Sequence, residues 1–230
     1  MQKHMLFVED DAVVRDNYAE LLTDEGFNVI AFADRQSALQ HASKTLPDLA
    51  LLDISLRGER DGGFHLCADL RRLSPQLPII FLTSHDSERD KISGIRLGAD
   101  DYLTKDISVD YLVIRIEALL KRFETLTKTA AGSKQSAGEV LRIDEEQQAL
   151  YWRQRKVGLT LAQFWITKTL ALNPGQAKNA GQLMRAANIL VEPNTIAAHI
   201  KSIRARFRAI DPTFNCIRTE RSMGYRWMNE

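Results

Sequence analysis

The chain has 230 residues, 44% hydrophobic and 27% charged, which excludes a disordered or fibrous protein and leaves room for two domains with a core each. The formal net charge of +1 hides an asymmetry: residues 1–124 carry 15 Lys and Arg against 22 Asp and Glu, and residues 125–230 carry 16 against 8. Cys67 and Cys216 are the only cysteines and lie far apart, which excludes a disulfide framework and a thiolate zinc site, and no apolar run reaches the roughly 18 residues of a membrane span.

The opening segment "MQKHMLFVEDD" is too short and too acidic for a secretory signal, so a cytoplasmic protein is expected. Within it "HMLFVE" reads as a strand ending in Glu9, Asp10 and Asp11. Val14, Tyr18, Leu21 and Leu22 then share one face of a helix that Gly26 can end. "NVIAF" is a second strand. In "PDLALLDISL" the unbroken run Leu49 to Leu52 predicts a strand buried on both faces that delivers Asp53 at its end. Leu66, Leu70 and Leu73 follow Gly62 and Gly63 on another helix. "PIIFLT" ends in Thr83 and Ser84, "DYL" is followed by Lys105, and Leu112, Ile116, Leu119 and Leu120 mark the last helix. Five strand-helix repeats predict an α/β fold with a parallel sheet covered on both sides, because parallel neighbours need a crossover.

In such a sheet ligands bind outside the carboxyl ends of the strands. Acids from the first strand and Asp53 would converge there, and unneutralised carboxylates would raise each other's pKa. A hard divalent cation such as Mg²⁺, held by a few carboxylates, a carbonyl and waters, removes that conflict. With Lys105 and the Thr83 hydroxyl on the phosphoryl oxygens, Asp53 becomes a candidate nucleophile for a covalent phosphate. For any one of these residues helix capping is an alternative role, as for Asp11 and Asp86; five at five strand ends are harder to obtain by accident.

"TLTKTAAGSKQSAG", Thr125 to Gly138, reads as a flexible linker. Beyond it come short strands between Val140 and Val157, three helical patterns and a hairpin turning near Ser222 to Gly224. The helix "PNTIAAHIKSIRARFRAI" starts at Pro193 and gathers Ile196, Ile200, Ile203 and Phe207 on one face. Ala198, Ser202 and Ala205 are expected opposite, with Lys201, Arg204, Arg206 and Arg208 on the flanks. Small residues at the crown would let the backbone approach a DNA major groove, while the cations reach phosphates and base edges. His199 lies within this helix, and no catalytic role is expected of any histidine.

"FVEDD", "LLDISL", "IIFLTS" and "GADDYLTK" resemble the receiver domain of two-component response regulators, from about Lys3 to Arg122. The resemblance implies Asp10 as a direct Mg²⁺ ligand, Glu9 as a ligand through water, Asp53 as phosphoacceptor and the Ser55 carbonyl as a further ligand. Thr83 and Lys105 become phosphate contacts, Tyr102 the aromatic that turns inward on activation, and a histidine kinase the donor. Asp106 stands where the family usually has a cis proline, so a trans bond is expected. Arg57 replaces another usual proline, and "RGERDGG" lengthens the loop after the phosphoacceptor.

"LTLAQFWITKTLALNPGQ", "AGQLM", the basic helix and "IRTERSMGYRW" are similar to the winged-helix effector domain of the OmpR and PhoB family, over about residues 139–228. That resemblance places DNA contacts at Asn194, Lys201, Ser202, Arg204 and Arg208, with Arg221 in the wing reaching the minor groove. It also implies a homodimer through the fourth and fifth receiver helices, pairing Asp100 with Arg122 and Asp101 with Arg115; Lys91 faces Tyr111 where glutamate is usual, with Asp110 as a substitute. RNA polymerase is a candidate partner. "DGGFHLCADLR" with "LTKDIS" also resembles a subgroup associated with a proteobacterial dedicated sortase system.

The expected organisation is thus a five-stranded, doubly wound, flavodoxin-like receiver (1–124), a linker (125–138) and an α+β winged-helix domain (139–230). The expected function is phosphorylation-dependent binding to tandem DNA half-sites. Two other readings stay open: a phosphorylation-independent DNA-binding regulator whose receiver only dimerises, and a Mg²⁺-dependent phosphohydrolase, against which Ser55 stands where a second acid would be needed.

Overall fold

A computed structural model describes residues 2–128, 135–136, 140–145, 147–187 and 193–229, with side chains described outside 122–128, 135–136 and 193–194. The chain divides into two compact units, residues 1–121 and 122–230.

The first unit alternates strand and helix without exception: β1 (His4–Val8), α1 (Ala12–Asp24), β2 (Asn28–Phe32), α2 (Arg35–Lys44), β3 (Leu49–Leu52), α3 (Gly62–Leu73), β4 (Ile79–Thr83), α4 (Glu88–Leu97), β5 (Asp101–Thr104) and α5 (Val109–Lys128). All the strand pairs are parallel, in the order β2-β1-β3-β4-β5. Every residue of β3 and of β4 is buried, as the unbroken apolar runs require of strands covered on both faces. Met5, Phe7, Leu49, Leu51, Ile80 and Leu82 point to one side, where Leu22 of α1 and Leu112, Ile116 and Leu119 of α5 pack on them. On the other side Phe64 of α3 meets Phe81 edge to face, ring centroids 5.3 Å apart. Leu21 and Leu73, expected on buried helix faces, are instead 42% and 46% exposed.

The strand order places the winding reversal between β1 and β3. The chain leaves β1 toward β2 and leaves β3 toward β4, so the loops after these two strands diverge and open a crevice at their carboxyl ends. Val8 pairs with Leu52 in register and Asp53 N–H donates to Val8 O at 2.9 Å, so Glu9, Asp10 and Asp53 emerge together at that crevice.

The second unit contains β6 (Gln135–Ser136), β7 (Leu141–Asp144), β8 (Ala149–Trp152), β9 (Arg155–Val157), α6 (Leu161–Ala171), β10 (Ala177–Lys178), α7 (Ala180–Ala187), α8 (Pro193–Arg208), β11 (Ile217–Glu220) and β12 (Gly224–Trp227). Strands β6 to β9 form an antiparallel sheet, and β10, β12 and β11 a second one. Thr160 caps α6 in a reciprocal box with Gln163. Trp152 anchors the core edge-on against Phe207, Phe214 and Trp227, and its indole N–H donates to Asp211 Oδ2 at 3.0 Å. The segment expected as linker carries helix at Thr125–Lys128 and strand at Gln135–Ser136; the rest of it, and "NILVE" at 188–192, lie outside the described residues.

Candidate functional site

Glu9, Asp10 and Asp53 bring carboxylate oxygens within 4.8 Å of one another. Glu9 and Asp53 are buried, 1% and 4% exposed, and Asp10 is exposed to solvent. Burial pushes Glu9 above the ordinary carboxylate range and the Asp53 charge adds to this, while Lys105 pulls it back. Lys105 is delivered by the end of β5, its N–H donating to Thr83 O at 3.0 Å. Its Nζ lies 2.5 Å from Glu9 Oε2 and 2.8 Å from Asp53 Oδ2. Burial works against the Lys105 charge, but the bonds to Asp53 and Glu9 outweigh it, so its pKa is raised and the ammonium is retained. The other Asp53 oxygen, Oδ1, accepts from Ile54 N–H at 2.6 Å, which fixes the carboxylate plane.

The oxygens present suit a hard divalent cation. Three carboxylates on adjacent loops, two of them buried beside a single ammonium, form an all-oxygen donor set that Mg²⁺ accepts and softer metals do not favour. Such an ion would neutralise charge at the crevice and polarise a phosphoryl oxygen. The chain's own part is visible: Lys105 supplies positive charge, and the Asp53 carboxylate is held between its ammonium and the Ile54 N–H.

Around this pocket, Thr83 is fully buried at the end of β4 and its Oγ1 accepts from His85 N–H at 3.3 Å. Tyr102 is 4% exposed, and its hydroxyl donates to His85 O at 2.7 Å. Ser55 Oγ lies 3.1 Å from His85 Nε2, and the other ring nitrogen lies 3.4 Å from Asp90 Oδ2. His85 thus joins the loop after β3, the Thr83 strand end and Tyr102, a role that the sequence did not disclose. Gly63 is the second residue missed. Its N–H donates to Ile54 O at 2.8 Å, and a Cβ there would fall 1.9 Å from Asp53 O, so α3 approaches the Asp53 backbone as only glycine permits. The doublet Gly62–Gly63 was the available signal. The Lys105–Asp106 bond is trans.

Within the single chain, Asp100, Asp101 and Arg115, expected to pair across a dimer, have partners of their own. Asp101 binds Arg115 of its own chain, Nε to Oδ2 at 2.8 Å, with both side chains buried. Asp100 is also buried; it accepts from Arg71 Nη2 at 2.7 Å and from Ile79 N–H at 3.0 Å. These residues are spent within the first unit because the start of β5 lies beneath α3 and α5, where an unpaired carboxylate would be costly. Lys91 and Tyr111 are half-buried, and the Arg122 side chain lies outside the described residues.

In the second unit Ile196, Ile200, Ile203 and Phe207 of α8 are buried as expected. The outward face differs from expectation. Ala198 is 4% exposed and buried, and Ser202 Oγ accepts from Gln163 Nε2 at 3.1 Å; the exposed stripe is Ala197, Lys201, Ala205 and Arg208. Arg204 is turned inward, donating to Ile217 O from Nε at 3.1 Å and to Thr219 Oγ1 from Nη2 at 2.9 Å. Arg208 Nε donates to Phe214 O at 3.4 Å. Arg221 is exposed at the tip between β11 and β12. Gly224 shapes that tip: its φ is +108°, and a Cβ would lie 2.2 Å from Lys178 O. Asn194 has no described side chain.

A parallel doubly wound sheet with an acid-and-lysine crevice, joined to a winged-helix unit with a basic helix, defines a receiver coupled to a DNA-binding module. Residues 5–117 match the response regulator receiver domain family, and residues 154–227 match the family described as transcriptional regulatory protein, C terminal. The chain is 33% identical over 229 residues to the transcriptional regulatory protein CreB of Escherichia coli K12, covering 98% of each chain. It is 31% identical over 226 residues to BaeR of E. coli O6:H1, covering 97% of this chain and 92% of that one. RegX3 of Mycobacterium tuberculosis H37Rv is 32% identical over 225 residues, covering 96% and 97%. In fold the chain is similar to DrrB, a Thermotoga maritima OmpR/PhoB homolog, with TM-score 0.51 at 24% identity and full coverage of both chains. A mutant of RitR gives TM-score 0.78 at 21% identity, covering 99% of this chain and all of that one. The chain therefore belongs to the OmpR/PhoB-type response regulators, with a receiver followed by a winged-helix DNA-binding domain.

Proposed function

We propose that Asp53 accepts a phosphoryl group from a histidine kinase with Mg²⁺ held at Glu9, Asp10, Asp53 and the Ser55 carbonyl, and that this regulates binding to tandem DNA half-sites about one helical turn apart. The observation that carries the reading is the crevice itself: Asp53 paired with Lys105 at 2.8 Å, beside Glu9 and Asp10. Attack by an Asp53 oxygen forms the aspartyl phosphate as the donor's bond to phosphorus breaks. Lys105 then meets the new negative charge, and the Thr83 hydroxyl supplies a further donor. Tyr102, bonded to the carbonyl two residues beyond Thr83, links that event to the β5 side of the receiver.

The phosphorylated receiver is read as dimerising through α4, β5 and α5. With Asp100, Asp101 and Arg115 engaged internally, that contact would rest on other surface groups of those elements, among them exposed Ile114 and Leu97. The dimer would act in the cytoplasm, presenting two winged helices to DNA and a surface to RNA polymerase; among the described residues no helix is long and apolar enough to cross a membrane. A phosphohydrolase is disfavoured because Ser55 offers a hydroxyl, not an acid, at the second position after the nucleophile.

The test is labelling by acetyl phosphate with Mg²⁺. Wild type should be labelled and Asp53→Asn should not; undiminished labelling of the variant would reject the assignment. Equal DNA affinity of the wild type with and without beryllofluoride would instead favour a phosphorylation-independent regulator.

A further inference from the structure

The winged-helix unit carries four cations on α8, yet they are not equivalent. Arg204 makes three hydrogen bonds to β11, through Ile217 O and Thr219 Oγ1. Arg206 donates to Gly158 O, and Arg208, in the last turn, leans on Phe214 O. A guanidinium bonded in this way ties the helix to its own domain, Arg204 to the wing, and must break those bonds before it can reach a base. Lys201 is the exception: it is exposed, and among the described residues it makes no hydrogen bond or ion pair. It stands in the middle of the outward stripe, with Ala197 one turn before it and Ala205 one turn after.

That stripe has a definite chemistry. A lysine ammonium in the major groove donates to the two acceptors that guanine presents, O6 and N7; adenine offers N7 beside an amino donor that repels it. An alanine methyl flanking it offers apolar contact, for which the thymine methyl is the matching group in that groove. Small neighbours also let the backbone come close enough for the lysine to reach base edges instead of stopping at phosphates.

We propose that Lys201 is the base-reading cation of α8, and that each half-site contains a guanine bordered by thymines which Lys201, Ala197 and Ala205 read. This rests on the DNA-binding function proposed above and adds its specificity. Arg204 is then a positioning residue that holds the helix against the wing, and Arg208 a phosphate contact.

The test is selection from a random duplex library by the full chain with Mg²⁺ and beryllofluoride, followed by affinity measurements on the best site at several salt concentrations. Wild type should enrich a common G·C pair next to A·T pairs. Lys201→Ala, exposed and so without consequence for folding, should lose the preference at that pair and bind the best site about 10- to 100-fold more weakly, with little change on unrelated DNA. Ala205→Gly should relax only the adjoining thymine preference. Arg204→Ala should lower the thermal stability of the wing while the enriched sequence stays the same. The proposal is overturned if Lys201→Ala selects the wild-type sequence with only a salt slope reduced by about one, the mark of a phosphate contact. It is equally overturned if wild type enriches no common G·C pair. Failure of wild type to bind any DNA would be a separate result, removing the DNA-binding function itself.

Discussion

Arg115 and Asp101 form a buried pair inside the receiver, Nε to Oδ2 at 2.8 Å, with side-chain exposures of 1% and 0%. Removing one partner strands the other charge away from water, so Arg115→Ala should destabilise the receiver by about 3–5 kcal/mol. A pair formed between copies would behave otherwise: the loss would depend on protein concentration. Urea denaturation followed by circular dichroism at two concentrations separates the cases. A variant within about 0.5 kcal/mol of wild type that only associates less would show that the internal pair is unimportant.

Gly63 gives a second prediction, decided by two opposing magnitudes. Within a helix, alanine is favoured over glycine by about 1 kcal/mol. Here the added Cβ would sit 1.9 Å from Asp53 O and 2.8 Å from Asp53 C, both backbone atoms that cannot swing aside. Moving α3 away from the Asp53 loop costs about 1–3 kcal/mol, so the steric effect should win. Gly63→Ala should be less stable than wild type and label more slowly with acetyl phosphate. A more stable, normally labelled variant would show that the loop yields freely.

The third prediction concerns pH. His199 is fully buried on α8, neither ring nitrogen has a hydrogen-bond partner among the described residues, and burial pushes its pKa down to about 4 from 6.5. As pH falls below about 6.5 the unfolded chain takes up a proton that the folded domain refuses, so stability drops until pH reaches about 4, by about 1.4 kcal/mol per unit. All three tryptophans, Trp152, Trp165 and Trp227, lie in the second unit, so their fluorescence reports its unfolding alone. Between pH 7 and pH 4.5 His199→Leu should lose less stability than wild type. Parallel curves for the two proteins would rule His199 out as the acid-sensitive group.

The architecture was legible wherever a pattern depends on neighbours along the chain. The unbroken run at Leu49 to Leu52, the helical spacing from Ile196 to Phe207 and the glycine at the wing each encode burial or a turn locally, and each appears where expected. The acids and Lys105 were legible too, because every strand of a parallel sheet ends at the same rim. Periodicity failed at α8, where Ala198 and Ser202 were expected on the open face. A helix turns about 100° per residue, so its exposed arc depends on what covers the flanks, and α6 supplies Gln163 there.

Sequence by itself therefore determined the order of elements, the cluster of acids at the sheet's rim and the basic character of the second unit, since these follow from residue type and local spacing. Tertiary structure alone decided which charges are free. Asp100, Asp101, Arg115 and Arg204 all look like surface groups in the sequence, yet each is paired with an atom 13 or more residues away. A charge is available to a partner only if its own fold has not already buried and neutralised it, and contacts that distant in the chain leave no trace in local periodicity.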